Sequence, residues 1–454
     1  MKIVVCVRQS VSGEINPFDA CAYEAALQVE GAEVILLSMG PNKSFEFLKS
    51  LTRLGAKEAY LLSDSAFAGA DTLATSYTLS LAIKRLAPDL VFCGRQTVDG
   101  DTGQVGPELS VMAGYNFIAN AMKINVLDGK IEVTNRNGDK IVENFPTLIT
   151  VERINSLRLP SIRGKVKEVY VWDAAELSAD TSKCGHRGSP TKVLRSFENT
   201  KDRRKCKFIN FSELDGVIAE ALQKERIEIK SESSAKKLDG VWSIGEAPLS
   251  MAATVSDNVR VVDMDTAESL VKKITGEKPS VIIWGSDPES KTVSAKVAAM
   301  LGLGLCADCT KLETDGEKLF MYRPAFGGNI IAKIESKTLP QMATVRTLTD
   351  SSDIIVSLGK GVVGKLDEAK ARAAKYAAEL GASRAMVDAG YMPYSAQIGL
   401  TGKTVCPKVY IALGISGAVH HTSAIENAGT VIAINPDRDA RIFEYADYGI
   451  VAEF

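Results

Sequence analysis

Histidine and tryptophan are scarce in this sequence, at three each in 454 residues. The histidines are His186, His420 and His421. No Ser/His/Asp order and no nucleophile elbow surrounds them, which argues against hydrolytic chemistry. Cysteine is thin too: eight residues, at 6, 21, 93, 184, 206, 306, 309 and 406, mostly inside apolar stretches. That is no disulfide framework and reads as the reduced thiols of a cytoplasmic protein. Cys306 and Cys309 form one CxxC pair, without a second pair or a suitably spaced His, so no metal site is expected. Apolar runs are short, and none approaches the roughly 18 residues of a membrane span. The apolar start at residues 3–7 gives out at Arg8, too soon for a signal-peptide core, and reads as a first strand. Neither sign of charge dominates: 54 Lys and Arg stand against 56 Asp and Glu. A polybasic nucleic-acid binder and an acidic tail are thereby excluded as the main theme.

What is present is ordinary globular material, 45% hydrophobic and 24% charged, enough for about three domains. Short apolar runs at 3–7, 34–37, 60–62 and 90–93 alternate with helix-like segments. The first of these helices opens at Asn16-Pro17 and runs through Phe18, Ala22, Ala25 and Ala26. Such alternation indicates a parallel α/β sheet. Asp128-Gly129 and Asn137-Gly138 then predict hairpin turns, because two-residue turns need positive φ.

The chain also repeats itself. Pro88–Gly94 (PDLVFCG) resembles Pro279–Gly285 (PSVIIWG), an offset of 191. Met112-Ala113-Gly114 resembles Met300-Leu301-Gly302, and Asp128-Gly129 resembles Asp315-Gly316, at offsets of 188 and 187. Strand, helix and hairpin recur in one order, so two related α/β domains are expected. Residues 179–237, polar and rich in Lys, Arg, Ser and Glu, read as a solvated linker with an exposed helix at 217–222. From residue 351 a third α/β domain begins. Its strands are expected at 354–358, 409–413 and 431–434, with a long helix over 366–380 and another opening at 415–418 and running through 425.

Several clusters could carry chemistry. Gly414-Ile415-Ser416-Gly417-Ala418 follows a strand, where small residues let a phosphate approach the backbone. His421 comes one turn later, and His420 points elsewhere, since helix neighbours differ by about 100°. Ser383-Arg384 with Asp388, the run from Gln397 through Gly399, Thr401 and Gly402 to Lys403, and Lys360 between two glycines are further polar clusters. Asn435 and Asp447 follow later strands. All are expected at the carboxyl ends of parallel strands, where α/β folds place ligands. The N-terminal half has its own cluster, residues 94–107, rich in small and hydroxyl groups but neither a Walker loop nor GxGxxG. Phosphate-binding features with few acid–base groups suggest a cofactor that does the chemistry.

These residues resemble the electron-transfer flavoproteins. GASRAMVDAG (381–390), QIGLTGK (397–403), YIALGISGAVHH (410–421), AIN (433–435) and ADYGIV (446–451) look like the FAD-binding domain of the α subunit. RPAFGGN (323–329) and PQMATVR (340–346) look like the preceding α-subunit domain. NPFD (16–19), LLSDSAFAGADTLATS (61–76), CGRQTVDGDTGQVGP (93–107), VERINSLRLPSI (151–162) and RGSPTKVLRSF (187–197) resemble the β subunit. The chain thus looks like a β–α fusion joined near 231–240.

The resemblance implies an α/β fold: two related adenine-nucleotide-hydrolase-like domains with added hairpins, and a C-terminal Rossmann-like FAD-binding domain. It places a β-like domain at 1–178, a β-subunit arm and linker at 179–240, a truncated α-subunit domain at 241–350 and the FAD domain at 351–454. It implies an electron carrier between flavin dehydrogenases and a downstream acceptor. The competing readings are a nucleotide-binding regulatory protein without redox turnover and a diaphorase acting directly on NADH. By position, Arg384 would lie over the isoalloxazine and raise its potential, Thr401 would bond N5, and His421 would reach the C2 carbonyl. Lys360, Gly361, Ser383, Gly414, Ser416, Gly417 and Ala418 would hold the pyrophosphate region. Gln397, Gly399, Gly402, Asn435, Asp437, Asp447 and Asp388 would complete the FAD site, and Phe18 would touch the flavin. Asp99, Asp101, Thr102, Gly103, Gln104 and Val105 would hold a second nucleotide. That ligand would be AMP in a simple carrier, or a second FAD reduced by NADH in a bifurcating one. Leu159 matches the loop that anchors a dehydrogenase of the acyl-CoA type. Leu400 and His420 stand where the family usually carries Gln, and residues 11–15 replace its N-terminal hairpin. A monomeric pseudo-heterodimer follows from the fusion.

Overall fold

The computed structural model describes residues 1–136, 138–152, 156–162, 164–198, 204–224, 233–349 and 352–453. They divide into two compact units. One comprises Met1–Ser196, Ser233–Phe326 and Ala332–Val345; the other comprises Phe197–Glu232, Gly327–Ile331 and Arg346–Phe454.

The first unit contains a nine-stranded sheet. Its strands run in the order Lys140–Asn144, Lys130–Asn135, Asn116–Leu127, Thr147–Val151, Leu90–Gly94, Lys2–Cys6, Glu33–Met39, Glu58–Leu62 and Val169–Trp172. The first two pair antiparallel as a ribbon, and the other seven are parallel. Consecutive residues of the central strands feed opposite faces. Ile3, Val5, Leu36 and Phe92 enter one core, while Val4, Ile35, Leu37 and Val91 enter the other. A sheet covered on both sides needs such unbroken apolar strands. The turn at Asp128-Gly129, with Gly129 at φ +66°, joins Asn116–Leu127 to the antiparallel strand Lys130–Asn135. Asn137, the other expected turn, lies outside the described residues.

A second sheet in this unit has five parallel strands in the order Val259–Val262, Val241–Ile244, Val281–Trp284, Gln341–Val345 and Leu305–Cys309. This is the order of Glu33–Met39, Lys2–Cys6, Leu90–Gly94, Thr147–Val151 and Asn116–Leu127 in the first sheet. The expected repeat is therefore a repeat of topology. It extends to helix ends. Helices Thr72–Leu86 and Ala267–Glu277 stop at left-handed Ala87 and Lys278, each followed by Pro. Helices Val105–Ala113 and Pro288–Leu301 both stop at left-handed glycines, Gly114 and Gly302. Glycine tolerates that conformation and proline cannot continue a helix.

The second unit is a six-stranded parallel sheet in the order Lys207–Phe208, Tyr448–Val451, Thr430–Asn435, Val409–Leu413, Ile354–Leu358 and Glu379–Ala382. Three sequence expectations are corrected here. The helix expected over 366–380 ends at Lys375. Ala377 turns left-handed (φ +50°), and Glu379–Ala382 pairs with the Ile354–Leu358 strand instead. The helix expected to run through 425 spans only Val419–Thr422. The stretch read as a solvated linker is structured where it is described. Thr191–Glu198 is a strand. Lys207–Phe208 extends the sheet of the second unit, and helix Leu214–Gln223 buries Leu214, Ile218 and Ala221 in that unit's core. Arg204 fastens this segment, donating to the carbonyls of Ala428 (2.6 Å) and Gly429 (3.1 Å) and to the Asp447 carboxylate.

Candidate functional site

From the strand Ile354–Leu358 the chain steps outward to Glu379–Ala382, then crosses back to Val409–Leu413 on the other side. Connections that leave neighbouring strands in opposite directions open a crevice at their carboxyl ends. Two glycine loops line it. Gly359 donates to Leu413 O at 2.8 Å and Gly361 to Gly414 O at 3.1 Å. A Cβ on Gly359 would fall 2.2 Å from Gly414 O. Gly417, at φ +86°, presses against the turn at Arg441 and Ile442, where a Cβ would fall 2.1 Å from the Ile442 nitrogen. Ser416 and Ala418 remain exposed, as do Lys360 and Gly361.

The flanking segment brings Ser383 and Arg384 to the same ends. Ser383 donates its backbone N–H to Leu358 O at 2.9 Å. Its Oγ is buried without a hydrogen-bond partner among the described residues. Arg384 opens the short helix Arg384–Asp388 and its Nε donates to Asp388 at 3.1 Å. Asp388 thus serves the guanidinium. Gln397 is fully buried and donates from Nε2 to Thr401 Oγ1 at 2.8 Å. Thr401 Oγ1 accepts there, which leaves its single hydroxyl hydrogen to donate elsewhere. Tyr394 holds the Thr401 carbonyl at 2.9 Å. Gly399 (φ +146°) and Gly402 close the loop, since a Cβ on Gly402 would fall 2.2 Å from Gln397 O.

His421 is buried, and both of its ring nitrogens are engaged. Nδ1 lies 3.0 Å from Ile398 O and Nε2 lies 2.7 Å from the Tyr410 hydroxyl. Burial pulls its pKa down to about 4. His420 is exposed. Asn435 donates to Ile415 O at 2.9 Å and accepts from the Asp437 N–H at 2.9 Å, tying two strand ends together. Asp437 is exposed and caps the Asp439 N–H. Asp447 departs from expectation. It precedes its strand and accepts from the Val431 N–H (2.8 Å) and from Arg204, at the amino ends of the strands, opposite the glycine loops.

In the first unit, Phe18 is buried in helix Pro17–Leu27. The loop after Leu90–Gly94 is held from within. Asp99 pairs with Arg8 at 2.8 Å and caps the Gly100 N–H. Asp101 (φ +55°) accepts from Gln96, and Arg323 donates to Gly100 O at 2.7 Å. Gln104 is buried, with its amide on Leu305 O and Thr72 at its carbonyl oxygen, so only its backbone faces the loop. Thr102 and Gly103 line a cleft with Arg95, Gln96, Lys291 and Thr292; its lining carries two cations and no carboxylate. Val105 begins the helix beside it. Beneath lies Glu108, whose burial raises its pKa well above normal. Sequence reading did not single out Tyr410, Tyr394 and Lys291, and took Arg95 only as part of the 94–107 cluster. A tyrosine in the otherwise apolar strand 409–413 was the available signal, since a buried hydroxyl seeks a partner.

Glycine loops at a switch point, a second loop at the end of another parallel sheet and few titrating groups define a doubly wound protein of the nucleotide-binding class. Comparison with known proteins agrees. The electron transfer flavoprotein domain is matched over residues 3–177 and 252–378, and the electron transfer flavoprotein FAD-binding domain over residues 348–426. The chain belongs to the electron transfer flavoprotein family. It is 41% identical over 210 residues to the electron transfer flavoprotein subunit beta of Megasphaera elsdenii, covering 42% of this chain and 78% of that protein. It is 38% identical over 223 residues to the subunit alpha of Thermoanaerobacterium thermosaccharolyticum, covering 39% and 68%. It is 39% identical over 204 residues to the caffeyl-CoA reductase-Etf complex subunit CarD of Acetobacterium woodii, covering 42% and 78%. One chain carries β-like and then α-like parts, with an FAD-binding domain at its C-terminal end. Among the described residues no helix is long and apolar enough to cross a membrane.

Proposed function

We propose that the chain is an electron carrier whose FAD occupies the switch point of the second unit and whose first unit holds a second nucleotide. The observation that carries the FAD site is the pair of glycine loops packed backbone to backbone at Gly359, Gly361 and Gly414, beside the buried Ser383 hydroxyl, which has no hydrogen-bond partner among the described residues. The N–H groups of these three glycines are spent within the protein, on Leu413 O, Gly414 O and Ile434 O, so it is the small, exposed residues Ser416 and Ala418 beside them that suit a pyrophosphate. Bound FAD supplies the redox chemistry, taking electrons from a flavin dehydrogenase and releasing them to an acceptor. The Arg384 guanidinium adds positive charge where negative charge gathers on reduction. Thr401, held by Gln397, offers its hydroxyl hydrogen. Asp388 orients Arg384 and tempers its charge.

The second nucleotide sits at the Asp99–Val105 loop. Arg95 and Lys291 line the cleft beside it, each paired with a carboxylate, Glu152 at 2.7 Å and Asp308 at 2.8 Å, and we read the ligand as a second FAD, reducible by NADH, with AMP as the alternative. The partner is a flavin dehydrogenase of the acyl-CoA type. The similar Acetobacterium protein bears the name of a caffeyl-CoA reductase-Etf complex. Leu159 and Ile162 are 89% and 101% exposed, as apolar anchors for such a partner would be. Fusion makes association of the two halves intramolecular, so a monomer is expected.

Cofactor stoichiometry tests the proposal. The protein is purified without added nucleotides, and its ligands are released by denaturation and counted by chromatography. Two FAD per chain supports bifurcation. One FAD with one AMP makes it a simple carrier. No flavin, even after incubation with FAD, overturns the carrier reading in favour of a regulatory nucleotide binder.

A further inference from the structure

The run Gln397 to Lys403, which carries Thr401, is fastened to the segment after the strand Val409–Leu413. Leu400 donates its N–H to His420 O at 2.7 Å, and Val405 donates to Ala424 O at 3.0 Å. A Cβ on Gly399 would fall 2.9 Å from His420 O, so the two backbones are in close contact. The His421 side chain makes the third attachment, at Ile398 O.

The chemistry of that attachment is fixed by its partners. A carbonyl oxygen only accepts, so Nδ1 must carry a hydrogen. The other ring nitrogen faces the hydroxyl of Tyr410, which is fully buried in the strand Val409–Leu413. Burial pushes the phenol pKa far up, so Tyr410 keeps its proton and has one to donate. Donation by Tyr410 requires an unprotonated Nε2. Burial holds the ring neutral, so with the hydrogen on Nδ1 the other nitrogen is bare and the 2.7 Å contact is a donation from Tyr410, which favours that one species over the imidazolium.

We propose that Tyr410 is a positioning residue which locks His421 as the neutral Nδ1–H tautomer, so that His421 braces the Thr401 loop through Ile398 O and lends no positive charge to the flavin. The inference rests on the FAD reading for its consequence, but the tautomer belongs to the protein alone. It makes His421 a brace of the site and leaves Arg384 as its cation.

Two measurements test it. The first is the imidazole ¹⁵N spectrum of the flavin-free chain at pH 7, with His421 assigned by comparison with His421→Asn. The expected pattern is a protonated Nδ1 and an unprotonated, hydrogen-bonded Nε2. A protonated Nε2, alone or with Nδ1, overturns the proposal. In Tyr410→Phe the Nε2 resonance should lose its hydrogen-bonded shift while Nδ1 keeps its hydrogen; an unchanged Nε2 resonance overturns Tyr410's role, and if that variant does not fold the wild-type spectrum still decides. The second is FAD retained per chain after desalting. Asn places an N–H where Nδ1 was, and Gln places one where Nε2 was. His421→Asn should retain FAD near the wild-type level, while His421→Gln and His421→Ala should each lose more than half. Retention in Gln but not in Asn overturns the brace. A wild-type chain that takes up no FAD would sink the FAD reading and leave the ¹⁵N result standing.

Discussion

Gly361 and Gly414 meet backbone to backbone: a Cβ on Gly414 would lie 2.8 Å from the Gly361 Cα and 3.0 Å from the Val362 nitrogen. Gly414 also sits at φ +61°, in the left-handed region. Gly414→Ala therefore combines a backbone collision with a disfavoured conformation, at a cost of about 1–3 kcal/mol. Because both loops line the crevice, FAD retention should fall along with the apparent Tm. Gly364→Ala gives the contrast: it has positive φ (+95°) but nothing within 4 Å of its Cβ. It should lose stability and keep FAD. Retention of FAD by Gly414→Ala at the wild-type level would remove the glycine loops from the site.

Much of this was legible in the sequence because it depends on local chemistry. Alternating apolar runs marked the strands, and Asp128-Gly129 marked a turn that needs positive φ. The offsets near 190 marked a duplication whose strand order the structure repeats. What depends on long-range pairing was not legible. The Ala-rich run after Leu366 favours helix throughout, yet Glu379–Ala382 gains more by pairing with Ile354–Leu358. The basic, polar stretch around Arg204 looked solvated, and only the tertiary structure shows Arg204 capping the carbonyls of Ala428 and Gly429. The position of Asp447 before its strand, and the partners of His421, likewise depend on residues far away in sequence.

Arg384 and Asp388 form an i, i+4 pair at 3.1 Å whose members should tune the flavin in opposite directions. Removing the cation in Arg384→Ala withdraws a favourable Coulomb term of about 1–2 kcal/mol at a partly exposed site. The two-electron potential should then fall by roughly 20–40 mV. Asp388→Asn frees the guanidinium of its counter-charge and should raise the potential by a smaller amount. Spectroelectrochemical titration of both variants decides the matter. An unchanged potential in Arg384→Ala removes the role assigned to it.

Glu152 lies between two arginines, 2.7 Å from Arg95 Nη1 and 3.1 Å from Arg136 Nη1, and all three side chains are at most 9% exposed. Removing the central charge leaves two cations facing each other in a poorly solvated place. Breaking a buried pair from one side costs about 3–5 kcal/mol. Glu152→Gln should lower the urea midpoint of the first unit accordingly, with m unchanged. Since Arg95 also lines the cleft beside the Asp99–Val105 loop, occupancy by the second nucleotide should fall. A midpoint within experimental error of wild type would show that the triad contributes nothing net.

The two units should respond to acid in opposite ways. Burial raises the Asp19 carboxyl in the first unit from its usual 3.8 to about 7, although it accepts from the Arg8 N–H at 2.8 Å. Its folded form keeps a proton that the unfolded chain gives up, so stability is lost as pH rises from about 4 to 7, by about 4 kcal/mol in total. Burial lowers His421 in the second unit from 6.5 to about 4. Here the unfolded chain takes a proton that the folded form refuses. Stability is therefore present above 6.5 and is lost as pH falls toward 4, by about 3 kcal/mol. Between pH 7 and 5 the two slopes oppose each other in any global measurement, so Tm alone would not test them. Hydrogen exchange resolved by segment and corrected for intrinsic rates separates them. The core strands 3–6 and 90–93 should gain protection on going from pH 7 to 5, and strands 409–413 and 430–435 should lose it. Because the buried Glu108 is raised in the same direction, Asp19→Asn together with Glu108→Gln should abolish the first change and leave the second, and His421→Asn should do the reverse. Changes of one sign in both units, or changes that survive these substitutions, would assign the pH dependence to other groups.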